Sequence, residues 1–385
     1  MARQQSAPAR RPRVGVDFHV WDGIYQGSRS HLIGIYREAI RQAPDIDFVF
    51  LLDKVDALAA SDPLFRLPNV RLVRMPKRPG VWRLGVQLPW LQLRERIDLM
   101  HLQYRLPLLR VGDYACTVHD LLFETHPQFF SRSFALMSRL TYRIAARHAC
   151  LVYTVSEYTR GELLRLYGAA AATVRVTYNG VDRQRFHPGN AGGERLAELG
   201  LVPQGYLLNV GRLEPRKNHV TLVEAYARLG EQAPPLLIVG QRDFGFDAVF
   251  EAIERLGLGR RVRVLESVDD ALLPVLMRHA RMFVYPALAE GFGMPVAEAM
   301  ASGVPVVTSN TTSLPEVAGD GALTVAPESV SELHAAMSRL LHEPELARTL
   351  VQAGLRRADA FDWAQSAKVL LSGFREHFSK RGLAC

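Results

Sequence analysis

Residues 282–307 read MFVYPALAEGFGMPVAEAMASGVPVV, and this stretch decides the fold. Met282, Phe283, Val284 and Tyr285 form a short, unbroken apolar run of the kind that parallel strands show when both faces are covered. A loop carrying Gly291 and Gly293 follows, and then a helix predicted over 295–302. Pro295 suits its first turn, where a missing N–H is no loss, and Gly303 suits the position just past its end. A second apolar run over 304–307 completes a strand–helix–strand unit, which requires parallel strands.

The same alternation extends outward. Upstream lie predicted strands over 206–210, 236–239 and 262–265, with a helix over 218–229 after the first of them. In the first half of the chain, apolar runs occur over 14–18, 48–52, 70–73, 99–102, 115–118 and 151–155. Leu32, Ile35, Tyr36, Ala39 and Ile40 recur at helical spacing within 30–43, a longer helix is predicted over 131–148, and Ser156 sits where an N-cap opens another. Strands alternating with helices give an α/β chain. The expected architecture is two doubly wound, Rossmann-like domains facing each other across a cleft, with ligands at the carboxyl ends of the strands. The Gly- and Pro-rich stretch 187–205, HPGNAGGERLAELGLVPQG, carries no strand pattern and marks the boundary. Domains are therefore expected over 1–190 and 191–365, with a C-terminal helix in 366–385 packing back toward the first.

Composition narrows the function. The chain of 385 residues is 48% hydrophobic and 22% charged, which excludes disordered and collagen-like classes. No apolar run approaches the ~18 residues of a membrane span. The first 13 residues hold Arg3, Arg10, Arg11 and Arg13 with no apolar stretch behind them, so they read as a short mobile tail rather than a signal or anchor. Cys116, Cys150 and Cys385 show no CxxC spacing and no even-numbered framework, which points to a reducing cytoplasm and against cysteine-bound metal. The net charge of +8 divides into +10 over residues 1–200 and −2 over 201–385. A basic first half is expected to face something anionic: nucleic acid, a phosphorylated acceptor or a membrane surface. The charge is diffuse and no RRM, KH or zinc motif occurs, which argues against nucleic acid.

Three motifs carry chemistry. In 290–298, EGFGMPVAE, Glu290 falls in the loop after a strand, and Glu298 lies inside the following helix. Gly291 and Gly293 keep that loop free of side chains, so backbone donors at the helix start can approach an anion. One carboxylate can accept hydrogen bonds from sugar hydroxyls and the other can hold a ribose diol. In 209–218, NVGRLEPRKN, Arg212 and Lys217 place two cations between a strand and a helix, a cradle for a pyrophosphate. In 116–120, CTVHD, His119 falls at the end of a first-domain strand.

These residues carry a resemblance. GRLEPRKN at 211–218, followed by EGFGMPVAEAMASGVPVV at 290–307, resembles the retaining glycosyltransferases of family 4, which have the GT-B fold. Weaker supporting pieces run along nearly the whole chain: VDFHVWDGIYQGSRSHL at 16–32, TVHDLLFETHPQFF at 117–130, TVSEYTRGELLRLYG at 154–168, VTYNGVD at 176–182, TSLPEVAGDGALTV at 312–325 and FDWAQSA at 361–367. The resemblance implies that Arg212 and Lys217 neutralise the donor diphosphate, so that no metal or other cofactor is needed. It implies that Glu290 contacts the transferred sugar, that the amides of Gly291, Phe292 and Gly293, with Met294 beside them, hold sugar hydroxyls, and that Glu298 binds ribose. His119 then reaches the sugar and acceptor side, and Gly27 lies in the first strand–helix loop near the phosphates and acceptor. That loop reads YQGSRSH where the family commonly shows more glycine, so Ser28 and Arg29 become candidates for the same contacts.

The expected reaction is transfer of a hexose, with retention, from a nucleotide-diphosphate sugar to a saccharide or lipid-linked saccharide. GDP-mannose leads among donors, ahead of dTDP-rhamnose and UDP-hexoses. A non-catalytic or nucleic-acid-binding protein on the same scaffold, or a nucleotide-sugar epimerase, is the alternative. A phosphorylase would need a pyridoxal lysine, and Lys217 is better used on phosphate. Basic residues interleaved with tryptophan over 71–83, followed by Trp90, suit peripheral contact with an anionic membrane at its cytoplasmic face. A solvated loop after a strand fits that stretch equally well.

Overall fold

The computed structural model describes residues 10–23, 27–107 and 109–383. Residues 1–9 of the basic tail and Cys385 lie outside the described residues. The chain divides into two compact units. The first contains residues 1–124, 130–180 and 363–385; the second contains 125–129 and 181–362. The change from first to second unit falls earlier than the Gly- and Pro-rich stretch suggests. The Val181 N–H donates to Phe361 O (3.0 Å) and Phe186 is buried, which fastens this segment within the second unit.

In the first unit, strands β1 (Arg13–Asp17), β2 (Asp47–Leu52), β3 (Val70–Arg74), β4 (Leu99–Gln103), β5 (Asp113–Val118), β6 (Leu151–Thr154) and β7 (Val174–Val176) form one parallel sheet. Its order is β3-β2-β1-β4-β5-β6-β7. The order reverses between β1 and β4, which is the ligand-binding position in doubly wound sheets. Each face buries its own core. One is built on Tyr36, Phe48 and Phe50, and the other on Leu88, Met100, Cys116 and Tyr142. The first helix spans Gly27–Gln42, so Gly27 is its first residue rather than part of the loop, and residues 24–26 of that loop lie outside the described residues. Ser131 and Ser156 cap the helices Arg132–His148 and Glu157–Tyr167, accepting hydrogen bonds from the Phe134 and Thr159 N–H groups.

The second unit repeats the design. Strands β8 (Leu207–Val210), β9 (Leu236–Val239), β10 (Val262–Leu265), β11 (Met282–Tyr285), β12 (Val306–Ser309) and β13 (Ala322–Val325) are parallel in the order β10-β9-β8-β11-β12-β13. The helix after β11 is Met294–Ala301, entered through Gly293 at φ +99° and left through Gly303 at φ +73°. A Cβ on Gly293 would lie 2.6 Å from Leu314 Cδ2, so both the backbone angle and the neighbour require glycine there.

The helix Trp363–Lys380 belongs to the first unit, where Leu370, Leu371, Phe374 and Phe378 are buried in the core with Tyr36 and Phe48. No helix among the described residues is long and apolar enough to cross a membrane. Phe374 is fully buried, so Phe374→Ala should cost about 3–5 kcal/mol through the cavity it leaves. Equilibrium unfolding in urea checks this; a loss below about 1 kcal/mol, the range of surface substitutions, would remove the helix from the core.

Candidate active site

The turn after β8 and the loop after β11 meet at the carboxyl edge of the second sheet. Glu214, Pro215, Arg216 and Lys217 form a single 3-10 turn, closed by Asn218 in the left-handed region at φ +60°. Asn218 clamps this turn to its surroundings: its side-chain amide donates to the carbonyls of Pro286 (3.0 Å) and Pro327 (2.7 Å). The opposing loop is fixed by Ser313, whose hydroxyl donates to the carbonyls of Glu290 (2.9 Å) and Phe292 (3.0 Å). Phe292 packs its buried ring edge-on against Phe361 (5.2 Å), anchoring the loop between its two glycines, Gly291 and Gly293.

Glu290 is the hub. One of its carboxylate oxygens accepts from the Lys217 ammonium and from the Tyr285 hydroxyl (2.9 Å), and the Arg216 guanidinium lies 2.9 Å away. Lys217 also donates to Tyr285 (2.7 Å), and Arg216 donates to Ala289 O (2.7 Å) and to Glu214 (2.6 Å). Burial alone would raise the Glu290 carboxyl, but the charges of Arg216 and Lys217 outweigh it and hold it at about 2. Burial pushes the Lys217 ammonium down from its ordinary value, opposed by Glu290. Glu290 is therefore held ionised against the two cations.

The other predicted residues of this unit surround that hub unevenly. Arg212 forms an ion pair with Asp243 and is 42% exposed. Gly291 and Gly293 are buried in the loop and Met294 opens the helix. Glu298 stands apart, with Arg185, Asp270 and Asp182 as its charged neighbours and no ion-pair partner among the described residues. Burial raises its carboxyl to about 8. Sequence reasoning missed Arg216, Tyr285 and Asp243. Arg216 sits beside Lys217 in the same motif, and the available signal was its place in a turn already assigned two cations.

Gly27 and His119 belong to the first unit. His119 follows β5 and is buried, edge-on to His31 (4.8 Å) and tilted against Tyr104 (5.0 Å). Its Nε2 lies 2.5 Å from Gln103 Oε1; that oxygen only accepts, so Nε2 carries the hydrogen and Nδ1 is the ring's acceptor. Burial, reinforced by His31 and His101, holds His119 well below its ordinary value, so it acts as a neutral ring. Ser28 is buried and hydrogen-bonded to Tyr104, and the Arg29 guanidinium lies over the Trp21 ring at 4.4 Å.

Residues 15–185 match the family model described as Glycosyltransferase Family 4, and residues 198–357 match the one described as Glycosyl transferases group 1. The O-antigen chain mannosyltransferase B of Escherichia coli is 33% identical over 264 residues, covering 67% of this chain and 69% of that protein. The chain belongs to the glycosyl transferases of group 1. A second member, an O-antigen chain mannosyltransferase of Salmonella typhimurium, is 27% identical and covers 70% of this chain and 72% of that protein. The solved sucrose-phosphate synthase of Thermosynechococcus elongatus superposes with a TM-score of 0.79 at 23% identity, covering 96% of this chain and all of that one; this likeness concerns the fold. The two doubly wound units are those of a GT-B glycosyltransferase, and the enzyme class expected from the sequence holds.

Two outcomes test the geometry of the second unit. Arg216→Met breaks a buried charge network and should cost about 3 kcal/mol in equilibrium unfolding. A loss no greater than that of Arg255→Met, which touches only an exposed pair with Glu224, would mean that Arg216 does not fasten the hub. For Glu298, the folded state holds a proton that the unfolded chain releases above about 4.5. Stability contributed by the neutral form is thus complete below that pH and lost as pH rises toward about 8. The melting temperature of Glu298→Gln should gain steadily on wild type from pH 5 to 8; a constant difference would mean that Glu298 is ionised throughout.

Proposed function

We infer that this glycosyltransferase moves a hexose, with retention of configuration, from a nucleotide-diphosphate sugar to a hydroxyl of a saccharide or lipid-linked saccharide in surface polysaccharide or glycolipid assembly. GDP-mannose is the favoured donor, supported by the mannosyltransferase names of the Escherichia coli and Salmonella typhimurium relatives. The observation that carries the reading is the buried Glu290–Lys217–Arg216 cluster beside a glycine loop that opens a helix.

The leaving group is a diphosphate, and its developing charge must be met by fixed donors. An ammonium has three N–H groups, and Lys217 spends two on Glu290 and Tyr285, leaving one for a phosphate oxygen. Arg212 is held by Asp243 on a partly exposed surface, where an ion pair is worth about 0–1 kcal/mol, so a diphosphate can take its place at little cost. The amides of Gly291, Phe292 and Gly293 and the start of the Met294–Ala301 helix then receive the sugar, Glu290 orients it, and Glu298 holds the ribose. His119 and Gly27 serve the sugar and acceptor side.

Glu290 is a poor nucleophile, because its charge is already satisfied by three donors. The route is therefore attack on the face from which the diphosphate leaves: the anomeric C–O bond to phosphate breaks, the acceptor oxygen bonds to that carbon, and the acceptor proton passes to the departing phosphate oxygen. With cations supplied by Arg212 and Lys217, no divalent metal or other cofactor is required. Reaction at the cytoplasmic membrane face suits a lipid-linked acceptor.

A thermal-shift panel of GDP-, UDP- and dTDP-sugars, followed by a transfer assay in EDTA, tests the reading. GDP-mannose at 100-fold its Kd should stabilise by about 2.7 kcal/mol, more than the other donors, and turnover should survive EDTA. A larger shift with a UDP-sugar would replace the donor; turnover lost in EDTA and restored by Mn²⁺ would overturn the metal-free mechanism.

A further inference from the structure

Fourteen large apolar side chains are exposed among the described residues, and eleven of them fall within residues 81–140 of the first unit. They are not scattered. Residues 80–94 run as helix Gly80–Trp82, a π turn Arg83–Gln87 and helix Leu88–Arg94 without a break. Trp82, Val86, Trp90 and Leu93 recur along it at spacings of four, four and three, which is one helical face. On the helix Arg132–His148, Leu136, Met137 and Leu140 are half to two-thirds exposed. Leu88 and Leu91 of one helix and Tyr142, Ala145 and Ala146 of the other belong to a single core on one face of the sheet. The two exposed apolar faces therefore lie over the same side of this unit.

The charge around them is of one sign. Residues 80–94 and 132–148 contain six arginines and no aspartate or glutamate. Arg132 and Arg143 are exposed and have no ion-pair partner among the described residues, and the same is true of Lys77 and Arg78 just before the first helix. The basic stretch 71–83 contributes less than its sequence suggests: Arg71, Arg74 and Arg83 are engaged by Glu95, Asp53 and Asp17. The weight moves to the Arg132–His148 helix.

We propose that this paired-helix face, Trp82–Val86–Trp90–Leu93 with Leu136–Met137–Leu140, seats the first unit on an anionic lipid bilayer. An apolar bed edged by phosphates satisfies both features at once: leucines and tryptophans enter the interfacial layer and the free arginines meet lipid headgroups. A second copy of the chain fits poorly, because a two-fold contact would set these arginines against one another with no acid to receive them. The proposal deepens the membrane-side acceptor reading above by naming the surface, and it rests on that reading only for its purpose.

The test is cosedimentation of the full chain with phosphatidylglycerol/phosphatidylcholine vesicles and with pure phosphatidylcholine vesicles, at low and high salt. Wild type should partition to the anionic vesicles and be released by salt. Leu136→Ser/Met137→Ser/Leu140→Ser and, separately, Arg132→Gln/Arg143→Gln should each lower the partition about tenfold or more, since each basic residue near such a surface contributes about 1 kcal/mol. Circular dichroism and turnover on a water-soluble acceptor should match wild type in both; if the serine variant fails to fold, the arginine variant decides. Binding unchanged in the arginine variant, no preference for anionic vesicles, or a wild-type dimer that the serine variant dissolves without any vesicle binding would overturn the proposal. Absence of transfer to any soluble acceptor by wild type would count against the functional reading and leave the partition result standing.

Discussion

A carboxylate that stays ionised away from water must be met by positive charge, and Glu290 is such a carboxylate. Two backbone features make it tolerable. The left-handed Asn218 closes a turn that delivers Arg216 and Lys217 together, and Ser313 pins the loop that presents the acid. Neither cation could be replaced by a flexible surface residue, because the groups must arrive already desolvated and aligned. The parallel sheet supplies the rest: β8 and β11 are neighbours, so their carboxyl ends place the two loops side by side.

The first unit has a buried ion pair of its own, Asp17 with Arg83, and adds to it a set of buried rings. His101 bonds Tyr36 through Nδ1 (2.5 Å) and Thr117 through Nε2 (2.8 Å), while His31 bonds Asn179 (2.8 Å). Burial keeps His31, His101 and His119 uncharged, with values lowered to about 4 and about 3 for the first two.

Most of this was legible in the sequence because apolar runs and cap residues are local signals. The strand Met282–Tyr285 is found where its four apolar residues place it, and the Met294–Ala301 helix begins one residue earlier than Pro295 suggests. Strand β7, VRV, was not legible: Arg175 interrupts the apolar run, the strand is held by its pairing with β6, and the Arg175 side chain reaches partners remote in sequence, Ser372 and Glu376. Strand β13 is a partly exposed edge and reads as loop. At the site, Glu290 and Lys217 were readable from their motifs. The pairing of Arg212 with Asp243 was not, because ion pairs depend on which loops the sheet order brings together.

The helix Trp363–Lys380 has a consequence for biosynthesis. It supplies buried Leu370, Leu371, Phe374 and Phe378 to a core whose other members lie before residue 154. During translation the ribosome makes the whole of 181–362 before this helix appears, while domains generally fold as they emerge. The first unit thus waits with part of its apolar core uncovered while the second, nearly continuous in sequence, already has all its strands. Order of completion runs opposite to order of synthesis, and the nascent first unit is the stage at which a chaperone would find exposed apolar surface.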